Sequence, residues 1–154
     1  MNLEAALKKH GLTMPNPSPK HGIYESVREF GPNLCCLSGC TSSINGQEAW
    51  TGRINKDVSI EQGQDAARTC ILNLLAHIIA KYGSLNKVKR IVKMTAFVVP
   101  AENFYDYSKI SNAASELLVD IFGEEAGLCA RSTIGVYALP RNSPVEIEIM
   151  IELN

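Results

Sequence analysis

The stretch GLCARSTIGVYALPRNSPVEIEIMIEL, residues 127–153, decides how this chain folds. Successive side chains of a strand point to opposite faces, so Val145, Ile147, Ile149, Ile151 and Leu153 share one face and Glu146, Glu148, Met150 and Glu152 the other. Strict alternation over Val145–Leu153 therefore predicts a strand with one apolar side. Arg131–Leu139 reads as a second strand, and residues 140–144, with a proline at each end, as the turn between them. In a simple hairpin of this kind, Arg131 lies nearer the far end of the last strand than Glu146, and the two would be joined only through a ligand. The apolar side of the last strand can receive helices. Its other side, mixing carboxylates with Met150, must meet water or another subunit and suits an oligomer surface.

Working back from this pair, Ser59 and Gln62 have the spacing of a capping box, and apolar pairs at 66/67, 70/71, 74/75 and 78/79 predict a helix running to Gly83. Val88–Val99 is β-branched and aromatic enough for a strand and is broken by Pro100. A second helix carries Ile110, Ala113, Ala114, Leu117, Leu118, Ile121 and Phe122 before Gly123. Upstream, Asn33–Ser38 reads as a buried strand, Tyr24 as the start of the first sheet-like stretch, and Gly39–Gly52 as a loop containing Trp50. Leu3, Ala6 and Leu7 give a short amphipathic helix over 2–10 that Gly11 stops, and Pro15, Pro17 and Pro19 make 14–22 an extended connection. Both long helices are apolar on one side only. The expected architecture is α+β: a mixed, mostly antiparallel sheet with two helices on one face, in one domain over 1–154, with 1–21 as N-terminal helix and Pro-rich connection.

The chain has 154 residues, of which 45% are hydrophobic and 20% charged, which suits one ordinary globular domain with a real core. A net charge of -1 provides no general attraction to polyanions, so neither nucleic acid nor an anionic membrane is expected as a partner. The five cysteines form no CxxC pair and read as reduced, and the first nine residues hold no apolar run of signal-peptide type. A cytoplasmic protein is the expectation. No dinucleotide, Walker A, zinc-protease or nucleophile-elbow motif occurs. His10, His21 and His77 stand far apart and read as structural or solvated, and Lys87, Lys89, Arg90 and Lys93 as a solvated rim.

The run 127–153 resembles the RidA family, also called YjgF-like, in its Arg131-Ser132 strand, Leu139-Pro140 turn and closing Val145-Glu146-Ile147-Glu148 strand. Gly22-Ile23-Tyr24 is similar to the family's Gly-Pro-Tyr, Leu37-Ser38-Gly39 to its Leu-Ser-Gly strand end, and Ser111-Asn112 to its Val-Asn on the second helix. In order, these cover residues 22–153. Phe104–Leu118, Gly123-Glu124 and the N-terminal helix look most like a less characterised branch. Two departures stand out: Thr133 where many relatives carry Cys, and Ile23 in place of the proline.

The resemblance implies a chorismate-mutase-like fold, a homotrimer with clefts between subunits, and cofactor-free hydrolysis of enamines or imines derived from amino acids. It further implies that Arg131 holds the substrate carboxylate, that Gly39 offers its backbone N–H, and that Glu146 positions the water and moves protons. Tyr24 would cover the cleft, Ser38 and Asn112 would line it, and Thr133 would contact the water through its carbonyl or hydroxyl. Against this stands a plain surface role, with Arg131 paired to Glu148 or Glu152. A second functional class is a non-catalytic module that binds or senses a keto acid or other small carboxylate in the same cleft. A third, RNA cleavage or translation inhibition, draws little support from the charge.

Overall fold

A computed structural model describes residues 1–154. Its centre is a five-stranded sheet in the order β1 (Val27–Phe30), β2 (Leu34–Thr41), β7 (Val145–Leu153), β5 (Val88–Val98), β6 (Ala130–Gly135). A small hairpin of β3 (Ser43–Ile44) and β4 (Gln47–Glu48) stands apart from it. Helices α2 (Ile60–Tyr82) and α3 (Tyr107–Phe122) cover one face. Between them and the sheet lies the core, where Ile71, Leu74, Leu75, Met94, Leu117, Leu118 and Ile147 are fully buried. Each such side chain contributes about 1.5–3 kcal/mol by leaving water.

The start of α2 follows the sequence signal closely. Ser59 accepts from the Gln62 N–H, the Gln62 side chain accepts from the Ser59 N–H, and Gly83 closes the far end in the left-handed region at φ 78°. The last strand also matches its expected span and faces. Helix α1 (Leu3–His10) packs on α3: Asn2 N–H donates to the Ile121 carbonyl, and Lys9 and His10 both reach Asp120.

Three expectations are corrected. First, β6 and β7 are not a hairpin, because β5 lies between them, antiparallel to β7 and parallel to β6. A parallel pair needs a crossover, and α3 with the short α4 (Glu124–Gly127) supplies it, so the helix dictates that β6 lies beside β5. Second, β6 ends at Gly135 rather than Leu139. The chain then leaves the sheet, and Tyr137 is held by Arg53, which donates to its carbonyl and lies 5.3 Å from its ring centroid. Third, β2 runs on past Ser38 to Thr41 through an irregularity in its pairing with β7 between Leu37 and Cys40. Regular pairing of β1 begins only at Val27, so Tyr24 precedes the sheet.

The uncovered face of the sheet carries Phe30, Leu34, Cys36, Phe97, Ile134 and Met150 among Lys93, Thr95, Glu148 and Glu152. Phe30 is 40% and Ile134 45% exposed. Cys36 therefore belongs to this open face and is exposed, unlike Cys35, Cys40 and Cys70. Among the cations of the expected solvated rim, Lys89 and Arg90 pair with Glu152, and Lys93 donates to Ser132. No helix is long and apolar enough to cross a membrane.

Candidate functional site

A cavity of about 580 Å³ opens where β1 stops short of the end of β2. Its floor is the irregular stretch Ser38-Gly39-Cys40 and Glu146 of β7. Tyr24, Pro140, Arg141, Ser18, His21 and His77 are among the residues that complete its lining. Gly39 lets the Glu146 carboxylate lie against the backbone: a Cβ there would meet its Oε1 and force that side chain to swing away. The Ser38 hydroxyl donates to the Glu25 carbonyl at 2.7 Å and Ser38 N–H donates to the Ser26 carbonyl at 3.0 Å, which ties the Tyr24 segment to β2.

Glu146 has its proton affinity raised above the ordinary carboxylate range. Burial is the main cause, and the charges of Glu148 and then Glu48 add to it. Every one of these influences acts in the same direction, so the group is predisposed to hold and release a proton. Across the strand pair, Thr41 is its register partner. Thr41 donates to Glu48 at 2.6 Å and accepts from Arg141 at 3.0 Å, and Arg141 meets Glu48 at 2.8 Å. The Glu48 side chain is only 4% exposed, so its negative charge is matched by Arg141. Arg141 itself adopts a left-handed conformation at φ 55°. Burial also raises the Cys40 thiol to about 12, with Glu146 adding to the effect, so Cys40 is an inert wall and no nucleophile.

Arg131 lies elsewhere. It pairs with Met94 in the β5–β6 ladder, on the helix-facing side, whereas Glu146 pairs with Phe97 on the open side. Its Nη1 donates to Asn112 Oδ1 at 2.8 Å and to Ser115 Oγ at 3.0 Å, both on α3. Those two bonds use both protons of Nη1 and leave the Nη2 and Nε edge, the side-on fork that suits a carboxylate. Two residues further along β6, Thr133 Oγ1 lies 2.7 Å from Ser111 Oγ. The ion pairs imagined between Arg131 and Glu148 or Glu152 do not form, since those carboxylates are on the other face and Glu152 binds Lys89 and Arg90.

The residues singled out from sequence thus fall into two groups. Tyr24, Ser38, Gly39 and Glu146 converge on the cavity. Arg131, Asn112 and Thr133 converge on the seam between α3 and β6, on the opposite side of the sheet. Within one chain they do not form a single site. Sequence reasoning missed Arg141, Glu48 and Ser18 and assigned His21 and His77 no role in a site. Arg141 follows Leu139-Pro140 directly and was within reach of the same motif; the others are joined only by the fold.

Comparison with known proteins bears on the family to which the chain belongs. Residues 4–153 match the family model described as "YjgF/chorismate mutase-like, putative endoribonuclease". The chain is 39% identical over 150 residues to protein TCP17 of Trypanosoma cruzi, covering 97% of this chain and 93% of that one. It is 32% identical over 113 residues to a 2-iminobutanoate/2-iminopropanoate deaminase of Dermatophagoides farinae, covering 73% and 78% of the two chains. Among solved structures, the protein Atu1372 of Agrobacterium tumefaciens superposes with a TM-score of 0.90 at 33% identity, over 99% of this chain and 92% of that one. With the fold, the strand order and a match over nearly the whole length in agreement, this chain belongs to the YjgF, or RidA-like, family.

Proposed function

We propose that this protein hydrolyses enamines and imines derived from amino acids to 2-keto acids and ammonia, without a cofactor, in clefts between the subunits of a homotrimer. The observation that carries the reading is the split of the site. A carboxylate of raised proton affinity sits on one face and a guanidinium with a free fork on the other. Packing one subunit's open sheet face against the next would allow the two to meet across a boundary between copies. The partly apolar open face, with Phe30, Ile134 and Met150, supports such an assembly. The deaminase relative and the family support a hydrolytic role in coarse terms.

In this scheme the Nη2 and Nε edge of Arg131 binds the substrate carboxylate, and Asn112 and Ser115 hold the guanidinium in plane. An enamine first tautomerises to the imine, whose carbon is electrophilic. Glu146 takes a proton from water as the water oxygen bonds to that carbon. The protonated Glu146 gives that proton to the nitrogen, which completes a carbinolamine; it then takes the remaining hydroxyl proton as the carbonyl forms and passes it to the amino group, so that the C–N bond breaks, ammonia leaves and Glu146 is ionised again. Gly39 leaves room for the carboxylate, and Tyr24 screens the cavity from solvent.

The direct test generates 2-aminoacrylate or its four-carbon homologue in situ and follows the keto acid. Arg131→Ala is expected to lose hydrolysis and keto-acid binding together, and Glu146→Gln to lose hydrolysis but keep binding. An active Arg131→Ala trimer refutes the assignment. A wild type that binds keto acids and hydrolyses nothing makes the protein a carboxylate-binding module.

A further inference from the structure

Within one subunit the cavity has more room than an alkyl imine fills, and hydroxyl and imidazole groups are part of its lining. Its volume of about 580 Å³ is in the range that holds drug-sized ligands, roughly 300–1,000 Å³, whereas a methyl or ethyl imino acid has only a few heavy atoms. No aliphatic side chain larger than proline lines it. Part of its lining is the meeting of the Pro-rich arm with α2, where Ser18 Oγ is 3.2 Å from His77 Nε2. His21 Nε2 lies 3.1 Å from Arg141 Nη1. A guanidinium only donates, so His21 must accept at Nε2 and carry its proton on Nδ1, where it is a donor. Ser18 and His77 bond to each other, and whichever of them donates, the Ser18 hydroxyl oxygen keeps a lone pair with which to accept from a ligand.

We infer that Ser18, His21 and His77 form a wall that selects imines of amino acids whose side chain ends in a neutral hydrogen-bonding group, a carboxamide being the representative case. This rests on the hydrolytic reading above and names the substrate class it takes. A second carboxylate is disfavoured, because Glu146 lies in the same cavity and the two cations near these groups are already paired, Arg141 with Glu48 and Lys20 with Glu25. Burial and the charge of Lys20 lower the proton affinity of His77, which keeps that side of the wall uncharged at neutral pH. An alkyl terminus is disfavoured for the opposite reason: it displaces water from the hydrogen-bonding positions that the Ser18–His77 and His21–Arg141 pairs leave over and offers them no partner. A carboxamide both donates and accepts, and so answers the hydroxyl and the His21 N–H together.

The experiment uses the full chain with imines generated in situ by an L-amino-acid oxidase from glutamine, glutamate and methionine, which are close in length. Hydrolysis is read by competition with semicarbazide. The expected kcat/KM for the glutamine imine is at least about tenfold above the other two, with the ratio falling to within about threefold in Ser18→Ala and His77→Phe. His77→Gln, which keeps a hydrogen-bonding end, retains most of the preference and separates loss of the wall from loss of folding. Equal rates for the three imines, or a preference for methionine, overturn the inference while leaving the deaminase reading intact. If no imine is hydrolysed, that reading fails, and calorimetry decides the wall by itself. The keto acid of methionine sulfoxide should then bind at least about fivefold tighter than that of methionine, and equal affinities overturn the wall.

Discussion

The cavity around Glu146 and the seam around Arg131 are built in opposite ways. In the seam, every partner of the charged group comes from one helix and the adjoining strand: Asn112, Ser115 and Ser111 on α3 meet Arg131 and Thr133 on β6. The cation is braced by neutral acceptors, with its remaining edge uncommitted. In the cavity the charged group is braced by nothing that favours its charge, and its walls come from the N-terminal arm, β2, α2 and the turn before β7. A braced cation is suited to binding; a carboxylate whose proton affinity is raised is suited to moving protons. Division of labour follows from the two environments.

The largest effect should come from breaking the two halves separately and then mixing them. Arg131→Ala should lower kcat/KM at least about a thousandfold, or about 4 kcal/mol of transition-state stabilisation, and Lys at this position should rescue only in part because a point charge cannot form the fork. Glu146→Gln should also be nearly inactive. When the two inactive variants are unfolded together and reassembled in equal amounts, about one site in four should combine an intact Arg131 with an intact Glu146 from different chains. Recovery of about a quarter of wild-type activity supports the shared cleft. No recovery, with mixed trimers demonstrated by mass, would place both groups in one chain's site.

A smaller effect sharpens the electrostatic side of the comparison. Glu148 and Glu48 both raise the proton affinity of Glu146, Glu148 more strongly, so neutralising either should move the acid limb of the pH–rate profile to lower pH. Glu148→Gln should move it further than Glu48→Gln. The same environment has a stability consequence. Because folding raises the Glu146 pKa, the ionised side chain destabilises the native state at neutral pH, and the penalty disappears below the unfolded-state value near 4.5. Glu146→Gln should therefore raise Tm at pH 7.5 and lose that gain by pH 4. A lower Tm at pH 7.5 would mean that the carboxylate is paired in the assembly.

Much of this contrast was written into the sequence unevenly. The alternation of Val145–Leu153 gives both the strand and the two faces, because a period of two is read from one segment alone. Ser59 and Gln62 specify the start of α2 for the same reason: the capping box is local. The insertion of β5 between β6 and β7 is not local. Residues 140–144 look like a hairpin turn, and only the need for a crossover through α3 places Arg131 level with Met94 and Ile149, away from Glu146. The Glu48–Arg141 pair was equally hidden, since 93 positions separate the partners and no motif links them. Motif resemblance brought Arg131 and Glu146 to attention; it did not reveal that they sit on opposite sides of one sheet.

The smallest expected effect concerns Thr133, where many relatives carry Cys. Its hydroxyl is 2.7 Å from that of Ser111, which is fully buried and has only long alternatives at 3.5 Å, the carbonyls of Tyr107 and Ser108. That pair links β6 to α3 directly beneath the Arg131 bracket, so its first role is to hold the seam. Thr133→Val keeps the shape, removes one partner and leaves a buried hydroxyl poorly satisfied, which should cost about 1–3 kcal/mol of stability. Thr133→Cys keeps a weak donor and should cost less. If the residue contributes to the reaction only through its backbone carbonyl, both variants should hydrolyse imines within about threefold of wild type once the trimer is folded, a shift below about 0.7 kcal/mol. A loss above about a hundredfold in Thr133→Val, with keto-acid affinity unchanged, would show instead that the hydroxyl itself handles the water, and would move part of the proton chemistry from the cavity to the seam.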